Sequence, residues 1–186
     1  LAARARRHGV CLALGRDGSP PISHSSRFAA GDRTVSYPKS EIRGRHVVDT
    51  LFLLQLYDVS QRALNGYGLK DAAVHFGFAR PDRVYLEGSE IARAYQERPD
   101  LVRKYVSDDI AETARLADML SRTYFAQAQM LPFSYQDVCV RGNATKIDAL
   151  LLREYLRRRQ AVPAGEPARE FAGGYTDIFV RGVVRN

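Results

Sequence analysis

From Asp100 to Leu131 the chain carries neither glycine nor proline, so one long helix dominates what it can fold into. Pro99 suits the first turn of that helix and Asp100 favours the positive end of its dipole. The helix is expected to break before Pro132. At about 100° per residue, Val102, Tyr105, Val106, Thr113, Leu116, Ala117 and Leu120 share one face. Asp109 falls near the middle of that face, whereas Asp108 points toward the charged side. A carboxylate on a buried stripe must be hydrogen-bonded, paired or metal-bound, because an isolated buried charge is too costly. Tyr105 lies one turn before Asp109, so phenol and carboxylate address the same spot. Two interpretations are open at this point: a structural acceptor beside a core tyrosine, or a reactive pair.

The 186 residues are enough for a real core, in one domain or parts of two. A net charge of +7, carried far more by arginine than by lysine, fits a polyanionic partner such as nucleic acid. Cys11 and Cys139 have no metal-like spacing and are expected to be buried, reduced thiols of a cytoplasmic protein. No apolar run approaches the length of a membrane span and no secretory signal opens the chain, so no membrane partner is expected.

Taken in order, residues 1–8 form the end of a helix closed by Gly9, and Val10 to Leu14 a short strand. Residues 27–30 and 33–37 flank Gly31-Asp32 as a hairpin. Gly44 to Asp49 is expected as a short buried strand, with Thr50 capping a helix over residues 51–57. Helices follow over residues 69–76 and 89–96, separated by an irregular stretch from Ala79 to Leu86. Beyond Pro132, short helices over 134–141 and from Thr145 onward end in Arg157-Arg158-Arg159, a weak phosphate-binding signal. Residues 162–170 resemble a linker, and Ile178 to Val184 a β segment. The opening in mid-helix and the lone final strand suggest a piece of something longer.

Tyr105-Val106-Ser107-Asp108-Asp109 resembles the third exonuclease motif of family B DNA polymerases, a tyrosine and an aspartate four residues apart. Gly44-Arg45-His46-Val47-Val48-Asp49 is similar to the segment that precedes a helix in those exonuclease domains. Tyr67-Gly68-Leu69-Lys70-Asp71-Ala72-Ala73 is similar to the stretch leading toward the third motif. Arg141-Gly142, Leu150-Leu151-Leu152-Arg153 and Val162-Pro163 resemble the connection from exonuclease to polymerase. Phe171-Ala172-Gly173-Gly174 resembles a Tyr-x-Gly-Gly signature, with Phe for Tyr. The matches keep the family's order over most of the chain.

The resemblance implies an α/β fold: part of a ribonuclease H-like 3′-5′ exonuclease layer, mostly helical, then a helical connection and a short β segment. The boundaries it implies are 1–131, 132–162 and 163–186, the last leading to the palm. It further implies proofreading by two-metal phosphodiester hydrolysis, using Mg²⁺ or Mn²⁺ held by carboxylates. Asp109 would be a metal ligand and Tyr105 would orient the attacking water or the phosphate. Arg153, Arg157, Phe171, Gly173 and Gly174 would approach nucleic acid. The partners implied are the DNA primer 3′ end, single-stranded template and the remainder of the polymerase chain. The other exonuclease carboxylates belong upstream, so the segment alone is expected to be inactive. A nucleic-acid-binding module without catalysis and an unrelated structural or interaction domain are the competing readings.

Overall fold

A computed structural model describes residues 1–31 and 33–165. Among the described residues the architecture is mixed α/β, with helices packed against one antiparallel hairpin. In order, the elements are α1 (Ala2–Arg7), β1 (Ile22–Ala30), β2 (Arg33–Glu41), α2 (Thr50–Gln61), α3 (Leu69–His75), α4 (Ile91–Glu97), α5 (Pro99–Met130), α6 (Tyr135–Val138) and α7 (Asn143–Arg157).

The hairpin is antiparallel, with Ile22 opposite Glu41 and Ala30 opposite Arg33. It reaches further from the turn than the sequence pattern indicates, while its turn end falls where expected, and Gly31 takes a φ of +57° at its tip, a conformation that favours glycine. Side chains alternate along β1, and Phe28 and Ala30 face inward. The Phe28 ring stacks on Phe52 of α2 at 4.2 Å, and Tyr37 meets Phe52 edge-on at 4.7 Å. This aromatic cluster fastens the sheet to the helices.

Two expected strands are absent. Val10–Leu14 is irregular, and Gly44–Asp49 takes part only in the isolated bridge between Arg45 and Ile42. In the second case a side chain does the work of a neighbouring strand. Gln136 of α6, buried, accepts from the Val47 N–H at 3.0 Å and donates to the Ser40 carbonyl at 2.8 Å. Asp49, not Thr50, caps α2, accepting from the Leu51 N–H at 2.9 Å. Likewise Gly142, not Thr145, is the cap residue of α7.

The same α6 anchors the hairpin through Lys39, whose ammonium lies 2.8 Å from Asp137 and 2.9 Å from Glu41. Burial pushes the Asp137 carboxyl up, but hydrogen bonds from Lys39 and Ser134 outweigh it and leave the group below its ordinary value. A depressed folded-state value stabilises above the unfolded value, and that contribution is lost as pH falls through the folded one. The hairpin–α6 contact is therefore expected to hold at neutral pH and to weaken below about pH 3.8. Lys39→Met is expected to cost about 1 kcal/mol at pH 7 and to flatten the acid limb of a stability–pH profile measured by chemical unfolding.

A second core joins Leu54, Ala72 and Leu116 from α2, α3 and α5, with Phe76, Phe78 and Leu120 around them. A third packs Leu86 and Ala94 against Val102. Together they fix α5 along three shorter helices, α2, α3 and α4, and the irregular stretch before α4. In the last turn of α2, buried Asp58 accepts from the Ala63 and Leu64 N–H groups and from the Tyr67 hydroxyl of the connection to α3. That closes the turn after Arg62, which sits at φ +49°. Cys139 is buried, as expected, but Cys11 is exposed because the segment expected to be a strand never enters the core. The expected β segment at 178–184 lies outside the described residues.

Candidate functional site

The buried stripe of α5 is rotated from the one that apolar spacing predicts. Val102, Asp108, Glu112 and Leu116 are its buried residues, while Val106 and Thr113 face solvent. Asp108, not Asp109, is the deeply placed acid of the pair. The cause is polar: the irregular stretch packed on α5 presents an arginine and a free N–H, and both draw carboxylates inward. Asp108 accepts from the Val84 N–H at 3.2 Å.

Arg83 is the centre of this cluster, its side chain only 1 % exposed. It donates from Nε and Nη2 to Glu112 at 2.6 and 2.8 Å, a bidentate pair with a carboxylate that is itself 5 % exposed. Nη2 also donates to Asp109 at 2.7 Å, and Nη1 donates to the Val84 carbonyl at 2.9 Å. The Glu112 hydrogen bond, outweighing burial, raises the Arg83 guanidinium above its ordinary value. It remains charged at every accessible pH.

Asp109 is the acid of this cluster that keeps contact with solvent, with 30 % of its side chain exposed. Tyr105 stands half-buried next to it, and burial first, then the negative charge of Asp109, push its phenol above the ordinary value. At neutral pH the phenol is a hydrogen-bond donor and not a base. The pair singled out by the sequence is thus together, one turn apart, with an arginine on its inner side. Arg83 and Glu112 were not identified from the sequence. The signal available was a third acid, four residues after Asp108, on a helix facing an arginine-bearing loop.

The carboxylate oxygens have the right chemistry for a hard cation. Their commitments do not suit one: Asp108 is bonded to backbone, Glu112 is neutralised by Arg83, and Asp109 carries a guanidinium 2.7 Å away. Among the described residues no three His, Cys, Asp or Glu side chains gather in a group that could hold a metal ion. The described residues alone therefore do not fit a two-metal centre. Asp109 fits only as a single ligand.

The other expected contacts are placed elsewhere. Arg153 donates to the Met130 carbonyl at the end of α5, and Arg157 pairs with Glu154 at 2.7 Å. Neither joins the Asp109 cluster. Phe171, Gly173 and Gly174 lie outside the described residues. Among the described residues, no helix is long and apolar enough to cross a membrane.

No family model matches the chain. Two curated proteins align with all of it: the DNA polymerase of Pyrococcus glycovorans, 30 % identical over 194 aligned residues, and the DNA polymerase of Thermococcus kodakarensis, 28 % identical over 198. The chain spans 22 % and 11 % of their respective lengths. It is similar, from end to end, to a segment of these archaeal DNA polymerases.

Proposed function

We propose that the chain is a segment of a family B DNA polymerase, covering the later part of a ribonuclease H-like proofreading exonuclease and the connection toward the palm. The observation that carries this reading is the position of Tyr105 and Asp109: adjacent on α5, half-exposed, and held from within by Arg83. The similarity to DNA polymerases over the whole chain supports it.

In this reading Asp109 is one carboxylate ligand of a Mg²⁺ or Mn²⁺ centre whose further acids belong to other parts of the polypeptide. Such ions, when bound, supply the activated hydroxide and stabilise the leaving oxygen. The chain's own contribution is structural and electrostatic. Arg83 fixes the direction of Asp109, and the neutral Tyr105 phenol offers a hydrogen bond to a phosphate oxygen or to water. DNA is the substrate and partner, presented as a primer 3′ end. The segment by itself is inactive, since one usable acid cannot assemble the site.

The test is degradation of a primer with a mismatched 3′ terminus by the full-length polypeptide in Mg²⁺ or Mn²⁺, beside a matched control. Faster removal of the mismatched nucleotide is expected. A full-length protein that extends primers yet removes no terminal nucleotide would favour a binding-only exonuclease fold.

A further inference from the structure

Lys70, near the start of α3, is half-buried but forms no ion pair with any of the described residues. Its Nζ lies 5.5 Å from the centroid of the Tyr85 ring and 5.5 Å from that of Tyr105. Arg83 lies 4.6 Å from the Tyr85 ring and 6.0 Å from the Tyr105 ring. Two cations therefore share two tyrosines, but their charges are treated differently. That of Arg83 is cancelled by Glu112 and Asp109. That of Lys70 rests on aromatic faces, which hold an ammonium without neutralising it.

Tyr85 is 56 % exposed, so this arrangement opens to solvent. Tyr105 bridges it to the Asp109 cluster, since its ring lies beside the Lys70 ammonium and it stands one helical turn from Asp109 on α5. An anion arriving here meets an ammonium with no ion-pair partner among the described residues, set against two rings and one side chain away from the solvent-facing acid. The bidentate Glu112 contact prevents Arg83 from turning outward to serve the same purpose.

We propose that Lys70, held by Tyr85 and Tyr105, is a backbone-phosphate contact for single-stranded nucleic acid entering beside Asp109. A compact ammonium suits one phosphate as a point charge, and single-strand grooves combine such cations with aromatic walls. The inference rests on the nuclease reading for the identity of the strand. It goes beyond that reading by assigning a substrate contact outside the Tyr105–Asp109 pair.

The test uses the full-length polypeptide and a short fluorescent oligodeoxythymidylate, with binding followed by anisotropy in EDTA over a range of KCl concentrations. Lys70→Gln is expected to weaken binding about tenfold and to reduce the slope of log Kd against log salt by about 0.7, one phosphate contact on a single strand. Lys70→Arg keeps the slope, and unfolding midpoints of both variants match the parent. Wild-type affinity and slope in Lys70→Gln, or the same loss in Lys70→Arg, would overturn the assignment. The mismatched-primer assay separates the two claims. A Lys70-dependent slope in a protein that removes no 3′ nucleotide contradicts the nuclease reading and leaves the phosphate contact standing. Removal that depends on Asp109, with binding indifferent to Lys70, contradicts the phosphate contact alone.

Discussion

Replacing Glu112 by alanine is expected to destabilise the protein by about 3–5 kcal/mol, because it strands a buried guanidinium. Arg83 cannot shed its charge, and with 1 % of its side chain exposed it cannot reach water without opening the α4–α5 packing. Asp109 retains a single hydrogen bond to it, which places the loss toward the lower end of that range. Removing both partners has a different outcome. Arg83→Met with Glu112→Leu fills the same space with apolar groups and is expected to be near neutral or stabilising. Urea unfolding followed by far-ultraviolet circular dichroism measures all three proteins. A loss under about 1 kcal/mol for Glu112→Ala would mean that the guanidinium is not desolvated as described.

Asp109→Ala is expected to do the reverse: little to stability, much to catalysis. Arg83 keeps its bidentate partner, and Asp109 is partly exposed, so the folding cost stays within about 1 kcal/mol. Nuclease activity of the full-length protein is expected to fall more than about a hundredfold, since even groups that only orient a metal ligand are worth 10–100-fold. Asp108→Ala provides the contrast. Asp108 accepts from the Val84 N–H inside the packed face, so its loss acts through the fold.

The long helix and the hairpin were legible for local reasons. The helix follows from a stretch without breakers, and the hairpin from Gly31-Asp32 between strand-forming residues. The rotation of α5 was not legible, because apolar periodicity counts Asp108 and Glu112 as surface. They are drawn inward by Val84 and Arg83, which lie in a segment with no periodicity. The strand expected at Gly44–Asp49 failed for a related reason. An apolar run does not reveal whether its N–H groups meet a strand or a side chain such as Gln136. At the candidate site, the spacing of Tyr105 and Asp109 was visible from sequence, whereas the partner that holds Asp109 in place required the fold.

The most direct measurement compares the full-length protein with its Asp109→Ala variant on a 3′-mismatched primer in Mg²⁺ or Mn²⁺, with unfolding midpoints matched. The parent is expected to remove the mismatched nucleotide and the variant to leave it in place, with both equally folded. Equal removal by the two proteins would contradict this and leave Asp109 as no more than a partner for Arg83.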